Sequence, residues 1–319
     1  MSAPPRSQTA LLTLLALVAF AANSLLTRMA LAPRLIDPAG FTLLRLASGA
    51  LVLAALVRVQ SGTWSSLGQR ELVGWGRWVG PLALFGYAAP FTLAYVRIGA
   101  AVGALVLFGS VQVTMIGWGI VTGERLSLPV WSGLLLSAGG LVTLVLPSAA
   151  RPDPAGCALM VLAGVAWGVY SLRGKASASP LAANARSFLV AVPLALPLYL
   201  VLGDRSAATT RGLLLAVMSG SLTSGVGYAI WYRALPGLTA AQAGIVQLSV
   251  PVLAAIGAIT WLGERPTARL AIASVAVIGG VALAVAVRAR PAALTPARPS
   301  QPGSAAARRA ATPSRPDQR

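Results

Sequence analysis

The tripeptide Gly-Glu-Arg stands twice in the chain, in IVTGERLSLP (residues 120–129) and in ITWLGERPTA (residues 259–268), 140 residues apart. Only seven of the 319 residues are acidic, yet two of the three glutamates, Glu124 and Glu264, fall in these copies. Sliding the chain on itself by 140 residues aligns 99–146 with 239–286 without a gap. Eleven of the 48 pairs are identical: Ala100, Ala101, Val106, Ile116, Gly117, Gly123, Glu124, Arg125, Gly139, Gly140 and Val145 recur. The unbroken GER, and SAGGLV (137–142) against VIGGVA (277–282), carry most of this internal repeat.

Working outward, the sequence around the repeat is apolar. The chain is 56% hydrophobic and 10% charged, with a mean hydropathy of +0.77, and its apolar stretches run for about 20 residues, enough to cross a bilayer. A water-soluble domain of this size needs more charge to cover its surface. Windows bounded by Arg, Asp, Glu, Pro and Gly predict ten spans, near 10–31, 40–58, 78–96, 100–121, 128–146, 156–172, 185–202, 212–232, 240–262 and 269–287. Because the runs are continuous and not alternating, they read as helices and not as barrel strands. The first is longer than the apolar core of a signal peptide and is read as a retained helix.

The first and sixth spans correspond loosely, FAANSLLTRMA (20–30) against VAWGVYSLRGK (165–175). Two five-helix halves follow, at 10–146 and 156–287, joined by a loop at 147–155. Five is odd, so the second half enters the membrane from the opposite side. The expected fold is therefore an all-α membrane protein of ten transmembrane helices in two inverted five-helix repeats. Loop charge does not orient it, with eight Arg or Lys on each side, but the N-terminal segment 1–9 and the tail 288–319 add eight more and place both termini in the cytoplasm. The tail, rich in Pro, Ala and Ser, reads as disordered and basic, with anionic headgroups as its natural contact.

Net charge is +18, but 24 of the 25 basic residues are Arg scattered along the chain, so no nucleic-acid partner is expected. One cysteine, Cys157, forms no intrachain disulfide, and no histidine is present. Metal sites, cofactors and most hydrolase chemistry are disfavoured on that ground.

The chain resembles the drug/metabolite transporter superfamily, in particular its EamA-type ten-helix members. The resemblance rests on GER closing the fourth and ninth spans, on VAWGVYSLRGK, on Pro38 followed by Arg45, and on GYAIWYRAL (227–235) with TAAQAGIVQLSVPVLAAI (239–256). It covers about 10–287 and implies a transporter of small organic molecules, most often an exporter of metabolites, amino acids or toxic compounds, with a cavity between the halves. One departure stands out: where the family commonly has Trp-Gly in the first span, Ala22-Asn23 stand here. That removes an expected aromatic wall from the first helix.

All seven acidic residues lie outside the ten spans, so no midplane carboxylate offers itself as a proton carrier. Arg45 is the intramembrane charge. It reads either as a cation for a substrate carboxylate or phosphate, or as a buried clamp on neighbouring helices. Tyr87, Trp167, Tyr170, Tyr228 and Trp231 are candidate cavity aromatics, the last four in pairs three residues apart. Tyr95 and Tyr232, near helix ends, fit the interfacial aromatic belt. Among polar residues inside spans, Asn23 and Gln247 are the candidate substrate contacts. Gln247 is favoured because Pro251, one turn on, frees its carbonyl. Pro90 and Pro251 are candidate hinges. The residues Glu124, Arg125, Glu264 and Arg265 read as helix-end anchors or gates, with each Glu near the positive start of the following helix and Ser127 or Thr267 at its cap.

The function read from these features is alternating-access movement of a small organic solute across the cell membrane by a multi-pass protein whose two fused halves suit a monomer. The alternatives are a membrane-embedded enzyme on a lipid-linked substrate, which the absent histidine and absent paired carboxylates disfavour, and a membrane sensor or scaffold, which the repeat disfavours.

Overall fold

A backbone inside a bilayer must satisfy its own hydrogen bonds, and the apolar runs do so as helices. The computed structural model describes residues 4–63, 76–145, 153–204 and 208–286. Ten helices occupy the ten expected spans: α1 Arg6–Leu31, α2 Pro38–Ser61, α3 Gly76–Ala100, α4 Val102–Val121, α5 Leu128–Val145, α6 Pro154–Lys175, α7 Pro180–Leu202, α8 Thr210–Gly237, α9 Ala240–Leu262 and α10 Ala268–Ala286. Among the described residues, nine helices are long and apolar enough to cross a membrane, and α5 is a shorter apolar helix. Of the loop expected at 147–155, residues 154–155 already belong to α6. The rest up to 152, Glu71, and the tail with its expected disorder lie outside the described residues.

The boundaries follow local chemistry. The tetrapeptide Asp-Pro-Ala-Gly opens both α2 and α6. Asp37 accepts from the Gly40 N–H at 2.8 Å, and Asp153 from Gly156 at 3.0 Å and Ala155 at 3.3 Å. The Gly156 N–H, foremost, holds the Asp153 carboxyl below the usual carboxylate range, and Arg97 at 3.3 Å adds to it. Both GER turns end their helix on a left-handed glycine, Gly123 at φ 91° and Gly263 at φ 69°. A third, Gly99 at φ 72°, separates α3 from α4, which otherwise run on as one helix.

Helix α8 is not uniform. Residues Ser219–Val226, of sequence SGSLTSGV, wind as π-helix between two α-helical pieces. The stretch packs so closely on α2 that a Cβ at Gly220 would collide with the Arg45 backbone. Such π segments concentrate at functional sites because the extra residue per turn redirects side chains.

Helices α5 and α10 show the inversion directly. A Cβ at Gly133 would meet Gly280 and Ala284, and one at Gly140 would meet Ala276 and Ala273, so the two helices run antiparallel. Midway, Ser137 Oγ donates to the Val277 carbonyl at 3.1 Å, and these residues stand 140 apart, at matching places in the repeat. Equivalent helices thus meet across a local two-fold axis, as two halves of opposite orientation require. Small residues carry the contact, as is usual where lipid gives helices no hydrophobic reason to associate. The variant Gly133→Val should cost about 1–3 kcal/mol by overpacking, read as a lower melting temperature in detergent. Gly139→Ala, at a position where a Cβ meets nothing, should leave it unchanged.

Candidate functional site

A cavity of about 250 Å³ opens between the halves at the face that bears Arg28 and Glu264. Its walls are apolar, with Leu25 on α1, Ala104, Leu107 and Phe108 on α4, and Val250, Pro251 and Ala254 on α9. At its rim the Arg28 guanidinium pairs with the Glu264 carboxylate, both groups about four-tenths exposed. Tyr95 lines it too, 8% exposed, and among the described residues its hydroxyl has no hydrogen-bond partner.

Deeper, the vestibule narrows into a chamber of about 30 Å³; Ser24, Phe91, Leu107, Phe108 and Val250 line both. The chamber is an aromatic cage with two amide groups. Phe20 and Asn23 come from α1, Tyr87 from α3, Trp167 from α6, Tyr228 from α8 and Gln247 from α9, so both halves contribute. The Trp167 ring lies 4.8 Å from Tyr228, 4.9 Å from Tyr87 and 5.3 Å, edge-on, from Phe20. Its indole N–H donates to Gln247 Oε1 at 2.5 Å. The Gln247 Nε2 donates to the Ala243 carbonyl at 2.8 Å.

The backbone around Gln247 explains its place. Pro251 has no N–H to give the Gln247 carbonyl, which instead accepts from Val250 at 3.0 Å, and α9 breaks at Gln247–Leu248 into Ala240–Val246 and Ser249–Leu262. The break falls where Pro251 led one to expect it. Pro90 behaves differently: α3 keeps helical dihedrals through it, and the bend lies at Gly99 instead. Asn23 Oδ1 accepts from Ser219 Oγ at 2.7 Å and Thr223 Oγ1 at 3.2 Å, so it ties α1 to the π segment while facing the chamber.

Three of the expected contacts stand behind the cage. Arg45, 1% exposed, donates through Nε to Ser224 Oγ at 2.8 Å and through Nη2 to Tyr228 Oη at 2.5 Å and Tyr87 Oη at 3.3 Å. Its guanidinium lies 5.3 Å from the Tyr87 ring centre. Tyr170, fully buried, donates to Asn184, and Trp231, fully buried, donates to Ser171 Oγ at 3.1 Å. Tyr95 and Tyr232, the candidates for an interfacial belt, are both buried. Tyr95 lines the vestibule, and Tyr232, 2% exposed, donates to the Tyr170 carbonyl at 2.9 Å.

The other GER turn, at the opposite ends of the helices, makes a different contact. Glu124 reaches across to α9 and accepts from the N–H groups of Ala240 at 2.7 Å and Ala241 at 3.2 Å. Beside it Lys175, in the last turn of α6, donates to the Leu238 carbonyl. This corrects the expected local role: Glu124 serves the start of α9 and not of α5, where Ser127 Oγ is buried with no partner among the described residues. Glu264 likewise turns to Arg28, although Thr267 does cap α10 by accepting from Leu270 at 3.2 Å. Arg125 and Arg265 are exposed.

Residues 154–286 match the EamA-like transporter family. A relative, an uncharacterised protein of Pseudomonas aeruginosa, is 48% identical over 284 residues, covering 89% of this chain and 96% of that one. The chain belongs to the EamA-like transporter family. Another relative named as an uncharacterised transporter, YwfM of Bacillus subtilis, is 28% identical over 77% of this chain and 84% of its own length. A crystal structure superposes with a TM-score of 0.76 over 90% of this chain and 99% of that one at 22% identity, which speaks to the fold. The protein is accordingly a multi-pass membrane transporter, and the cage is its candidate solute site.

Phe20, Phe91, Phe108 and Arg28 are absent from the residues that the sequence points to as cavity lining. Apolar aromatics inside an apolar span carry no signal of their own. Phe20 supplies the aromatic that the Ala22-Asn23 departure had removed from the first helix.

Proposed function

We propose that this EamA-type protein is an alternating-access exporter of small amphipathic organic solutes in the cell membrane, with both termini in the cytoplasm. The supporting observation is the one-sided cavity. A vestibule leads from one face to a cage built from both halves, while at the other face Glu124 ties the end of α4 to the start of α9. With the termini inside, the open face is external. The cage suits an apolar or aromatic body by stacking. Tyr95 Oη and the Arg28–Glu264 pair at the wider end suit a polar or zwitterionic head. Two fused halves enclose the whole site, so a monomer suffices. Family membership favours transport over catalysis, and we place the chain outside the enzymes.

Purified protein in liposomes should accelerate movement of aliphatic or aromatic amino acids or of cationic dyes, and solute on the far side should stimulate exchange. Movement of none of them, with a lipid-modifying activity in its place, would overturn the reading. Tyr95→Phe removes one unpaired donor from the vestibule and should raise the half-saturating concentration of a transported solute about threefold, with the maximal rate unchanged.

A further inference from the structure

The two GER turns, matched by the repeat, hold their glutamates on different partners. Glu124 is docked on the start of α9, at Ala240 and Ala241. The repeat pairs Glu124 with Glu264 and pairs Ala240 and Ala241 with Ala100 and Ala101, which stand at the junction of α3 and α4 directly after the Gly99 break. Glu264 is not docked there. It lies on Arg28, and Ala100 lines the vestibule that Glu264 also lines. Each glutamate also has a cation near it in the last turn of an equivalent helix, Arg28 on α1 and Lys175 on α6, although the alignment of these helices pairs Arg28 with Arg173.

We propose that Glu264 is the latch of a second gate: in the alternate state it leaves Arg28 and accepts from the Ala100 and Ala101 N–H groups, sealing the vestibule, while Glu124 releases α9 and opens the other face. The proposal rests on the alternating-access reading and adds the residues that set its balance. A carboxylate on a helix N-terminus is held by two N–H donors and by the helix dipole, whereas an ion pair as exposed as Arg28–Glu264 holds weakly. Exchange between the two partners is therefore inexpensive. The gates are not equal. Thr239, with Gln242, also caps α9, but its counterpart in the repeat is Gly99, which has no side chain to accept from α4. Glu264 is then the stronger determinant of its gate.

The test follows water access to two positions in full-length protein in liposomes, in a Cys157→Ser background. Ala104→Cys reports on the vestibule. Ala243→Cys reports behind the Glu124 contact, because its repeat counterpart, Gly103, lines the vestibule. Their rates of reaction with N-ethylmaleimide are compared. Glu124→Ala should speed Ala243→Cys about tenfold and slow Ala104→Cys. Glu264→Ala should slow Ala243→Cys about tenfold and leave Ala104→Cys fast, and the double glutamate variant should return towards the parent ratio. Misfolding would speed both reporters in either variant. Shifts of the same sign in both variants, or none in either, overturn the latch. If the parent protein moves the amino acids or dyes while the opposite shifts fail to appear, the latch alone falls. If it moves none of them, the carrier reading falls instead.

Discussion

Replacing Arg45 by leucine should abolish transport, by about a hundredfold or more, and lower the melting temperature in detergent. The guanidinium is the hub of the contact between α2, α3 and α8: three side chains from two halves of the protein accept from one cation. Among the described residues, no carboxylate touches it. Its charge is met by two phenol oxygens, a serine hydroxyl and the face of Tyr87, and Nη1 has no partner among the described residues. Leucine removes a buried charge, which is favourable, but leaves Ser224, Tyr228 and Tyr87 without their donor at about 1–3 kcal/mol for each buried group. It also frees two walls of the cage to rotate. Arg45→Lys discriminates between charge and geometry. Lysine keeps the charge but offers one nitrogen where arginine offers two, so it cannot serve Ser224 and both tyrosines at once. A lysine variant with normal transport would show that the charge alone matters and that the forked contact does not.

The ten spans and the inverted repeat were legible because each rests on a property of the chain itself: run length, and a match at a fixed offset that five crossings turn over. The site was legible only in part. Trp167 and Tyr170 share a helix face, as their spacing requires, but one reaches the cage and the other lies a turn deeper on Asn184. Spacing sets a direction around the helix and says nothing of depth along it. Tyr95 and Tyr232 make the same point. Their positions near span ends suit headgroups, yet both side chains are buried against neighbouring helices, which position along the span does not reveal. Glu124 shows the limit most plainly. Local rules point it at the next helix in sequence, but its donors are Ala240 and Ala241, more than a hundred residues on. Only the packing of one half against the other brings that helix start within reach.

Trp167→Ala should reduce transport about a hundredfold while leaving membrane insertion intact. The indole is the residue on which the two halves converge in the cage, touching Phe20 and Tyr87 from the first and Tyr228 from the second, and each aromatic pair adds to its burial. Alanine would empty most of one wall and enlarge a chamber of only about 30 Å³ severalfold, so a bound solute would lose contact on one side. It would also strand Gln247 Oε1, whose donor is the indole N–H. Trp167→Phe separates these two losses. It keeps a ring against Tyr87 and Tyr228 but cannot donate, so it should cost about tenfold. Gln247→Leu, which removes the acceptor and leaves the ring, should cost about the same if the hydrogen bond serves mainly to hold the indole in place. If Gln247 meets the solute directly, Gln247→Leu will cost more than Trp167→Phe and will change which solutes compete. Transport rates with an aromatic and an aliphatic amino acid decide between the two. Equal rates for Trp167→Ala and the parent protein would move the solute site out of the cage and into the vestibule above it.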